Sequence, residues 1–445
     1  MKPFIANSMW FASCLPETMA FRRATCDVAR AQRRALQRIT GFTDVDAFRE
    51  HYALSEEPGT PQEPIVRRLP TSGTTGPTKW IPYTESLYME FRRGIAPWIV
   101  DLMLHNPNLL AGKSYWAISP IGPTGSGFGD DTEYLGRAQR WIASTLAVPA
   151  SVRRIRDLEQ WRIETLRHLM ACRDLTFISV WHPTFLLLLL QGLEKPSRLW
   201  PKLRVISCWG DSPELKEMFP KAEIQPKGLI ATEGFVSLPL WERNGAALAE
   251  RTHFFEFLDG GGKPFGAHEL AAGNEYSVVL TTGGGLNRYR LHDLVRVTGF
   301  ENECPLLRFI GKDNIVSDRF GEKVSEHQVR CALKDLAAKF LLVACEGKAY
   351  TLYVESFNPD YELAAWGEAL ELSLCRNVHY RYCRGLRQLE RVRVVRIGRN
   401  SRIRYLAACQ SRGRRLGDVK PVLLERTGGW MSVFEAKPVI SKFGQ

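Results

Sequence analysis

No apolar run in this chain is long enough to cross a bilayer. The greasiest stretch, Phe185 to Leu190 (FLLLLL), follows His182-Pro183 and stops at Gln191. That is far short of the ~20 residues a membrane helix needs, and it reads as a buried helix. The opening MKPFIANSMWFASCLPE is broken by Asn7 and Ser8 before its apolar run reaches signal-peptide length. Cysteine is sparse: the ten residues form neither a CxxC pair nor a Cys/His spacing suited to tetrahedral zinc. A disulfide scaffold and a zinc module are thereby excluded, and a reducing cytoplasm is the expected setting. The chain also lacks an internal repeat, a low-complexity segment, a Ser/His/Asp order and a nucleophile elbow. Acid is in the minority. The 48 Asp and Glu against 60 Lys and Arg leave a formal net charge of +12, which favours an anionic partner: nucleic acid, a membrane surface or an acidic small substrate.

What remains is ordinary globular material. The 445 residues, 44% apolar and 24% charged, can bury a sizeable core and fit two or three domains. Residues 20–40 carry apolar positions at three- and four-residue steps and predict a surface helix. LSEEPGTPQEP, from Leu54 to Pro64, reads as a loop. From about 114 to 282, β-prone runs (SYWAIS, LTFISVW, LRVISCW) alternate with helical ones, which predicts βαβ units and a mainly parallel sheet. After GLIATEG the texture changes to HFFEFLD, YSVVLTT, RYRLHDLVRVTGF and LLRFIG, a more antiparallel, barrel-like portion. Beyond Asn314 the pattern predicts a smaller α+β unit: helices near 324–340, 361–378 and 402–411, a hairpin in FLLVACEGKAYTLYVES and a strand in ERVRVVRI. The expected fold class is therefore α/β, with a large domain over 1–314 and a small one over 315–445.

The strongest local signal is LPTSGTTGPTKWIPYT, Leu69 to Thr84. Gly73 and Gly76, with Pro77, allow a tight turn; Thr71, Ser72, Thr74 and Thr75 offer hydroxyls, and Lys79 a point charge. The Walker spacing does not fit, so this is a polyphosphate loop built on hydroxyls and one Lys. In GLIATEG, Thr232-Glu233 end a β-prone run, where a carboxylate beside a triphosphate can hold Mg²⁺. In Tyr289-Arg290-Leu291-His292-Asp293, after the Gly-rich TTGGG, the Asp can accept hydrogen bonds from both ribose hydroxyls, and Arg308 follows downstream. An Arg-rich stretch, Arg376 to Arg415, interleaved with Tyr380, Tyr382 and Tyr405, has the make-up of a nucleic-acid surface. Its Arg391, Arg393 and Arg396, however, flank β-branched residues as a solvated strand face does, so nucleic acid is not the expected partner.

TSGTTGxxK is the phosphate-loop pattern of the adenylate-forming superfamily. Together with QPKGLIATEGFVSLPL, VVLTTGGGLNRYRLHDLVRVTGF and SRGRRLGDVKPVLL, it makes the chain resemble the bacterial branch of the Gretchen Hagen family of acyl acid amido synthetases, from about residue 65 to 425. The resemblance implies an ATP-dependent, Mg²⁺-assisted ligase. A carboxylic acid attacks the α-phosphate of ATP, pyrophosphate leaves, and an amine, usually of an amino acid, takes the acyl group from the adenylate. Carried over, Ser72, Gly73, Thr74, Thr75 and Lys79 cradle the phosphates, with Thr71 at their flank. Thr232 contacts the nucleotide, Glu233 binds Mg²⁺, Asp293 binds ribose with Arg308 a second candidate, and Lys420 of GDVKP reaches the α-phosphate. Gly311 to Asn314 becomes the hinge of a mobile C-terminal lid. The family's usual YRxGD is here YRLHD, with His292 in place of Gly. Rival readings are transfer to a thiol, coenzyme A or a carrier, and a non-catalytic binding protein with a basic tail.

Overall fold

In the computed structural model, which describes residues 2–71, 79–118, 143–209, 212–334, 336–412 and 422–439, the chain divides into two units, Met1–Phe309 and Ile310–Gln445. The first begins with three helices, α1 (Pro3–Ala24), α2 (Val28–Thr40) and α3 (Val45–His51). The single helix expected over 20–40 is thus the end of α1 and all of α2. They part at Thr25–Asp27, where the Asp27 carboxylate accepts from the Arg30 amide at 2.9 Å and starts a new helix. Strands β1 (Arg67–Pro70) and β2 (Trp80–Tyr83) pair antiparallel and lead into α4 (Glu85–His105), capped by the Thr84 hydroxyl on the Leu87 amide at 3.2 Å. One face of α4 buries Leu87, Phe91, Ile95, Trp98 and Leu102 at helical spacing. Gly94 on the same helix admits Phe235: a Cβ there would lie 2.3 Å from its ring.

Strands β3 (Lys113–Trp116), β4 (Leu175–Ser179), β5 (Val205–Cys208) and β6 (Glu223–Pro226) form a four-stranded parallel sheet in chain order, as the βαβ rhythm predicted. The Leu-rich run after β4 is the short helix Pro183–Leu189, with Leu186 and Leu189 in the core. The antiparallel portion is a seven-stranded sheet. Its members are β7 (Ser237–Pro239), β8 (Ala246–Leu248), β9 (Phe254–Leu258), β10 (Pro264–Gly266), β11 (Glu275–Thr281), β12 (Tyr289–Glu301) and β13 (Cys304–Lys312), in the order β10-β9-β11-β12-β13-β8-β7. One hydrophobic core joins α1, α4, the β1–β2 pair, the parallel sheet and the seven-stranded sheet. The nucleotide motifs therefore sit on elements that share a single packed interior.

The second unit carries β14 (Val316–Ser317), β15 (Val324–Ser325), β16 (Phe340–Glu346), β17 (Ala349–Glu355), β18 (Arg393–Ile397), β19 (Leu424–Glu425) and β20 (Ala436–Pro438). Five of them form a sheet ordered β19-β16-β17-β18-β20. The helix expected over 324–340 is only Glu326–Leu333, and the one expected over 361–378 is two helices, Asp360–Leu374 and Val378–Gly385. Their break is made by Asn377, whose side chain accepts from the His379 and Tyr380 amides at 2.9 and 3.4 Å. Five arginines of the basic stretch meet acids: Arg384 with Glu371, Arg391 with Glu368, Arg393 with Glu390, Arg396 with Asp360 and Arg404 with Glu435. Among the described residues, no helix is long and apolar enough to cross a membrane.

Candidate functional site

The β1–β2 register, Arg67 opposite Tyr83 and Pro70 opposite Trp80, makes the polyphosphate segment the connection of a hairpin. Its base is closed twice: the Thr71 amide donates to the Lys79 carbonyl at 2.8 Å, and the Lys79 amide to the Thr71 hydroxyl at 3.2 Å. Ser72, Gly73, Thr74 and Thr75 lie outside the described residues, as does Lys420. The Lys79 ammonium donates to the Glu56 carbonyl, lies 3.5 Å from the Glu57 carboxylate and stands 5.6 Å over the ring of Tyr289.

Thr232 and Glu233 are the two turn residues of a second tight hairpin. Ile230 bridges Phe235, and Ala231 and Gly234 exchange backbone hydrogen bonds at 3.0 and 3.3 Å. From β2, the Tyr83 hydroxyl donates to the Thr232 carbonyl at 2.5 Å. Burial, and after it the Glu233 carboxylate, hold the Tyr83 phenol well above its ordinary range, so it remains a neutral donor. Beneath the tip, the Phe235 amide donates to His253 Nε2 at 2.9 Å. That leaves the imidazole proton on Nδ1, 2.8 Å from Glu90 Oε2. Glu90 also accepts from the Gly283 amide at 3.0 Å, and the Thr84 hydroxyl donates to the Gly283 carbonyl at 2.9 Å. His253 and Glu90 are both buried. They tie the Thr232–Glu233 hairpin, α4 and the Gly-rich turn into one frame.

The Gly-rich turn enters β12 at Tyr289. On β11, Ser277 faces Leu294 and Val279 faces Arg290, so Leu291, His292 and Asp293 together oppose Val278 alone. This bulge re-aims the side chains it carries. His292 has a φ of +61°, in the left-handed region that favours glycine, and Asp293 is buried. Alongside runs the segment read from sequence as a loop. Ser55 bridges Tyr289, with the Ser55 amide on the Arg288 carbonyl at 3.0 Å and the Arg290 amide on the Ser55 carbonyl at 2.8 Å. Arg288, forked onto Glu256 at 2.9 and 3.2 Å and donating to the Tyr52 carbonyl at 2.9 Å, fixes that approach. It brings Glu56 Oε1 to 3.0 Å from His292 Nε2. The Tyr289 phenol is raised above its ordinary range by burial first, then by Glu233, Glu57, Glu56 and Asp293. Lys79 thus stands over the ring of Tyr289, and the charges of Glu233 and Asp293, from two other motifs, act on its phenol. The contacts that define this group do not include Arg308, which is exposed on β13 and donates to Asn244.

Against the same hairpin lies a small apolar recess, partly open to solvent. Phe91, Ile95 and Trp98 of α4 form one wall, and Ile230 and Phe235 of the hairpin another. The rest comes from the carboxyl ends of the parallel strands, where open α/β sheets bind ligands: Trp116 ends β3, Trp181 follows β4 and Lys227 follows β6. Of Trp181, His182 and Phe185, only Trp181 lines this recess. Phe185 instead packs on Trp161, ring centres 5.7 Å apart, and the His182 ring faces Trp209 at 6.5 Å. Sequence reading passed over Glu56, Glu57, Tyr83, the Glu90–His253 pair and Lys227. Only Lys227 left a usable trace, a charge immediately after a β-prone run in QPKG.

Glu233 is a half-buried carboxylate on a tight turn, a setting that fits an oxygen ligand of Mg²⁺. Among the described residues no group of three His, Cys, Asp or Glu could hold a metal ion.

A parallel sheet and an antiparallel sheet on one core, with a smaller α+β unit after them, is the adenylate-forming architecture. The chain matches the GH3 family N-terminal domain over residues 34–198 and the GH3 family central domain over residues 246–312, and it belongs to that family. Its fold is similar to that of the AtGH3.15 acyl acid amido synthetase in complex with 2,4-DB: TM-score 0.79 at 17% identity, covering 95% of each chain. A 2-hydroxyisobutyryl-CoA ligase in the postadenylation state is more distant, at TM-score 0.51 and 13% identity over 94% of this chain and 89% of the other. A probable indole-3-acetic acid-amido synthetase of Arabidopsis thaliana is 32% identical over 117 residues, 25% of this chain and 20% of that protein. A jasmonoyl-L-amino acid synthetase of Nicotiana attenuata is 33% identical over 131 residues, 26% of this chain and 23% of that protein. The matches therefore span about a fifth of the length of these curated relatives.

Proposed function

We propose that this protein joins a carboxylic acid to an amine through an acyl-adenylate. ATP activates the acid with release of pyrophosphate, and the amine, of an amino acid, then takes the acyl group as AMP leaves. The observation that supports the reading is the Lys79 ammonium over the ring of Tyr289, whose phenol also feels the charges of Glu233 and Asp293, beside an aromatic recess. A carboxylate is a poor electrophile until its oxygen belongs to a good leaving group. A site for this chemistry needs positive charge at phosphorus, a hold on the nucleotide and a dry pocket for the acyl body. Lys79, with Ser72 to Thr75, is assigned to the phosphates, Thr232 to the nucleotide, Asp293 to the ribose hydroxyls and Lys420, in the second unit, to the α-phosphate. Bound Mg²⁺, held by Glu233, would offset negative charge on the phosphates. Arg308, engaged with Asn244, keeps only a secondary claim on the ribose.

Within the family, the wording of the four motifs supports the bacterial branch. All ten cysteines are free thiols, which supports a reducing cytoplasm. The relatives' printed names, synthetases of acid–amino acid conjugates, support an amine acceptor over a thiol. The test is pyrophosphate release from ATP-Mg²⁺ across a panel of carboxylic acids, with hydroxylamine, amino acids or coenzyme A as acceptor. Acid-dependent release that rises with an amine is expected. Release that rises only with coenzyme A would replace the amide ligase by a thioester ligase.

A further inference from the structure

The helix Asp360–Leu374 turns one face into the core of the second unit, where Leu363, Gly367, Leu370 and Leu374 are buried. Its opposite face is uncovered. Glu362, Ala365, Ala369 and Leu372, with Arg376 just past the helix end, follow at alternating steps of three and four residues. That spacing holds residues on one stripe, and it is the spacing by which two helices interlock. Ala365, Ala369, Leu372 and Arg376 are exposed and Glu362 partly so. Leu372 is 67% exposed, and Tyr361, beside Glu362, 74%. A water-facing helix stripe is ordinarily polar, whereas this one is apolar between its two ends.

The ends carry opposite charges that have no ionic partner. Glu362 accepts from the Asn358 side chain and, at 3.4 Å, from the Tyr361 hydroxyl, and neither is a cation. Arg376 makes no ion pair among the described residues, unlike Arg384, Arg391 and Arg396 of the same stretch. The fourteen residues between them span about 21 Å at the usual helical rise, so the two charges do not meet within one molecule. Each stands seven residues from Ala369, one before it and one after. A two-fold axis at Ala369 therefore lays the helix antiparallel on its own copy, with Glu362 of each chain against Arg376 of the other. The small side chains of Ala365 and Ala369 let the helix axes approach to about 8 Å. A parallel pairing would instead set like charges together at both ends.

We propose that this face is a self-association surface, on which two copies of the chain pair through their Asp360–Leu374 helices in antiparallel register. The charge pattern selects a second copy as the partner, because the face is complementary to itself. The helix is 15 residues, about 22 Å, so the face falls short of the ~800 Å² per partner of a stable dimer, and the pairing is a weak, micromolar one. It goes beyond the ligase reading and does not depend on it.

The test is sedimentation equilibrium of the full chain from about 1 to 200 µM, which brackets a micromolar dissociation constant. The wild type should pass from monomer to dimer across that range. Glu362→Arg and Arg376→Glu should each weaken the dimer at least about tenfold, since each makes both end contacts repulsive. An equimolar mixture of the two variants should dimerise as the wild type does, because the reversed charge of one then meets that of the other. Leu372→Asp should hold the chain monomeric. All of these substitutions are on the water-facing stripe and should keep the wild-type circular dichroism. A wild type monomeric throughout, or a dimer that the single variants and their mixture leave unchanged, would overturn the assignment. A monomer that cosediments with phosphatidylglycerol vesicles, and no longer does so in Arg376→Glu, would likewise overturn it and give the face to a membrane.

Discussion

The His292 imidazole meets the Glu56 carboxylate at 3.0 Å from a backbone held at φ +61°. An L-residue there costs about 1 kcal/mol that glycine does not, because its Cβ crowds the following carbonyl. Glycine is what the family pattern has at this place in YRxGD. The strain and the contact with Glu56 are separated by two substitutions, whose order is defined. His292→Ala keeps the strain and loses Glu56; His292→Gly loses Glu56 and relieves the strain. We expect His292→Ala to melt below His292→Gly by about 2 °C, read by differential scanning calorimetry. An alanine variant as stable as the glycine variant would mean that the bulge does not hold this residue left-handed.

Lys79 stands over the Tyr289 ring and the Glu233 charge acts on the same phenol, and removal of either should act on chemistry more than on fold. Lys79 is tethered to the exposed Glu57 carboxylate, and Glu233 occupies a turn whose backbone bonds do not need its side chain. Lys79→Ala and Glu233→Ala should each lower acid-dependent pyrophosphate release at least about a hundredfold, as loss of a preorganised charge at a reacting phosphate does, with melting temperatures near wild type. Pyrophosphate release unchanged in both would sink the site assignment.

Glu90 and His253 contribute through position. With Glu90 gone, the buried His253 Nδ1–H and the part-buried Gly283 amide both lose their acceptor, the first costing about 1–3 kcal/mol. Glu90→Gln still presents an oxygen to one of them. Glu90→Ala should therefore lose several degrees of melting temperature and raise the apparent KM for ATP, because the Thr232–Glu233 hairpin and the Gly-rich turn lose their common anchor. Glu90→Gln should recover most of both. Equal damage in the two variants would remove the hydrogen bonds from the explanation.

The parallel sheet was legible because each strand is a short apolar run between helical segments, while TSGTTGPTK, GLIATEG and YRLHD stood out as local patterns of residue types. The break at Thr25–Asp27 was missed because apolar spacing continues across it while the capping Asp27 sits among arginines. Glu56 and Glu57 looked like loop acids. What gives them a place is Arg288, more than 200 positions away in the chain, drawing the Tyr52 carbonyl toward β12. Lys227 is one of 60 basic residues until folding sets two indoles beneath it. Pairings made by distant segments leave no local pattern, and the apolar recess consists almost entirely of such pairings.

Glu250 supplies a pH dependence whose direction is fixed. It is fully buried; one carboxylate oxygen accepts from the Cys304 thiol at 3.4 Å, and the other has no partner among the described residues. Burial first of all pushes its carboxyl up to about 8, from an ordinary 4.5. The folded state thus binds a proton that the unfolded chain releases near pH 4.5. The cost of burying Glu250 is absent below that pH, grows as pH rises, and is constant once the folded carboxyl itself ionises above about 8. Glu250→Gln removes the titration while keeping shape and polarity. The gap in melting temperature, Glu250→Gln minus wild type, should therefore widen by a few degrees between pH 5 and pH 8 and then level off, on the order of a few kcal/mol in all. A gap that is flat across that window would show that Glu250 is ionised in the folded protein throughout, with a partner for its charge that burial and Cys304 alone do not supply.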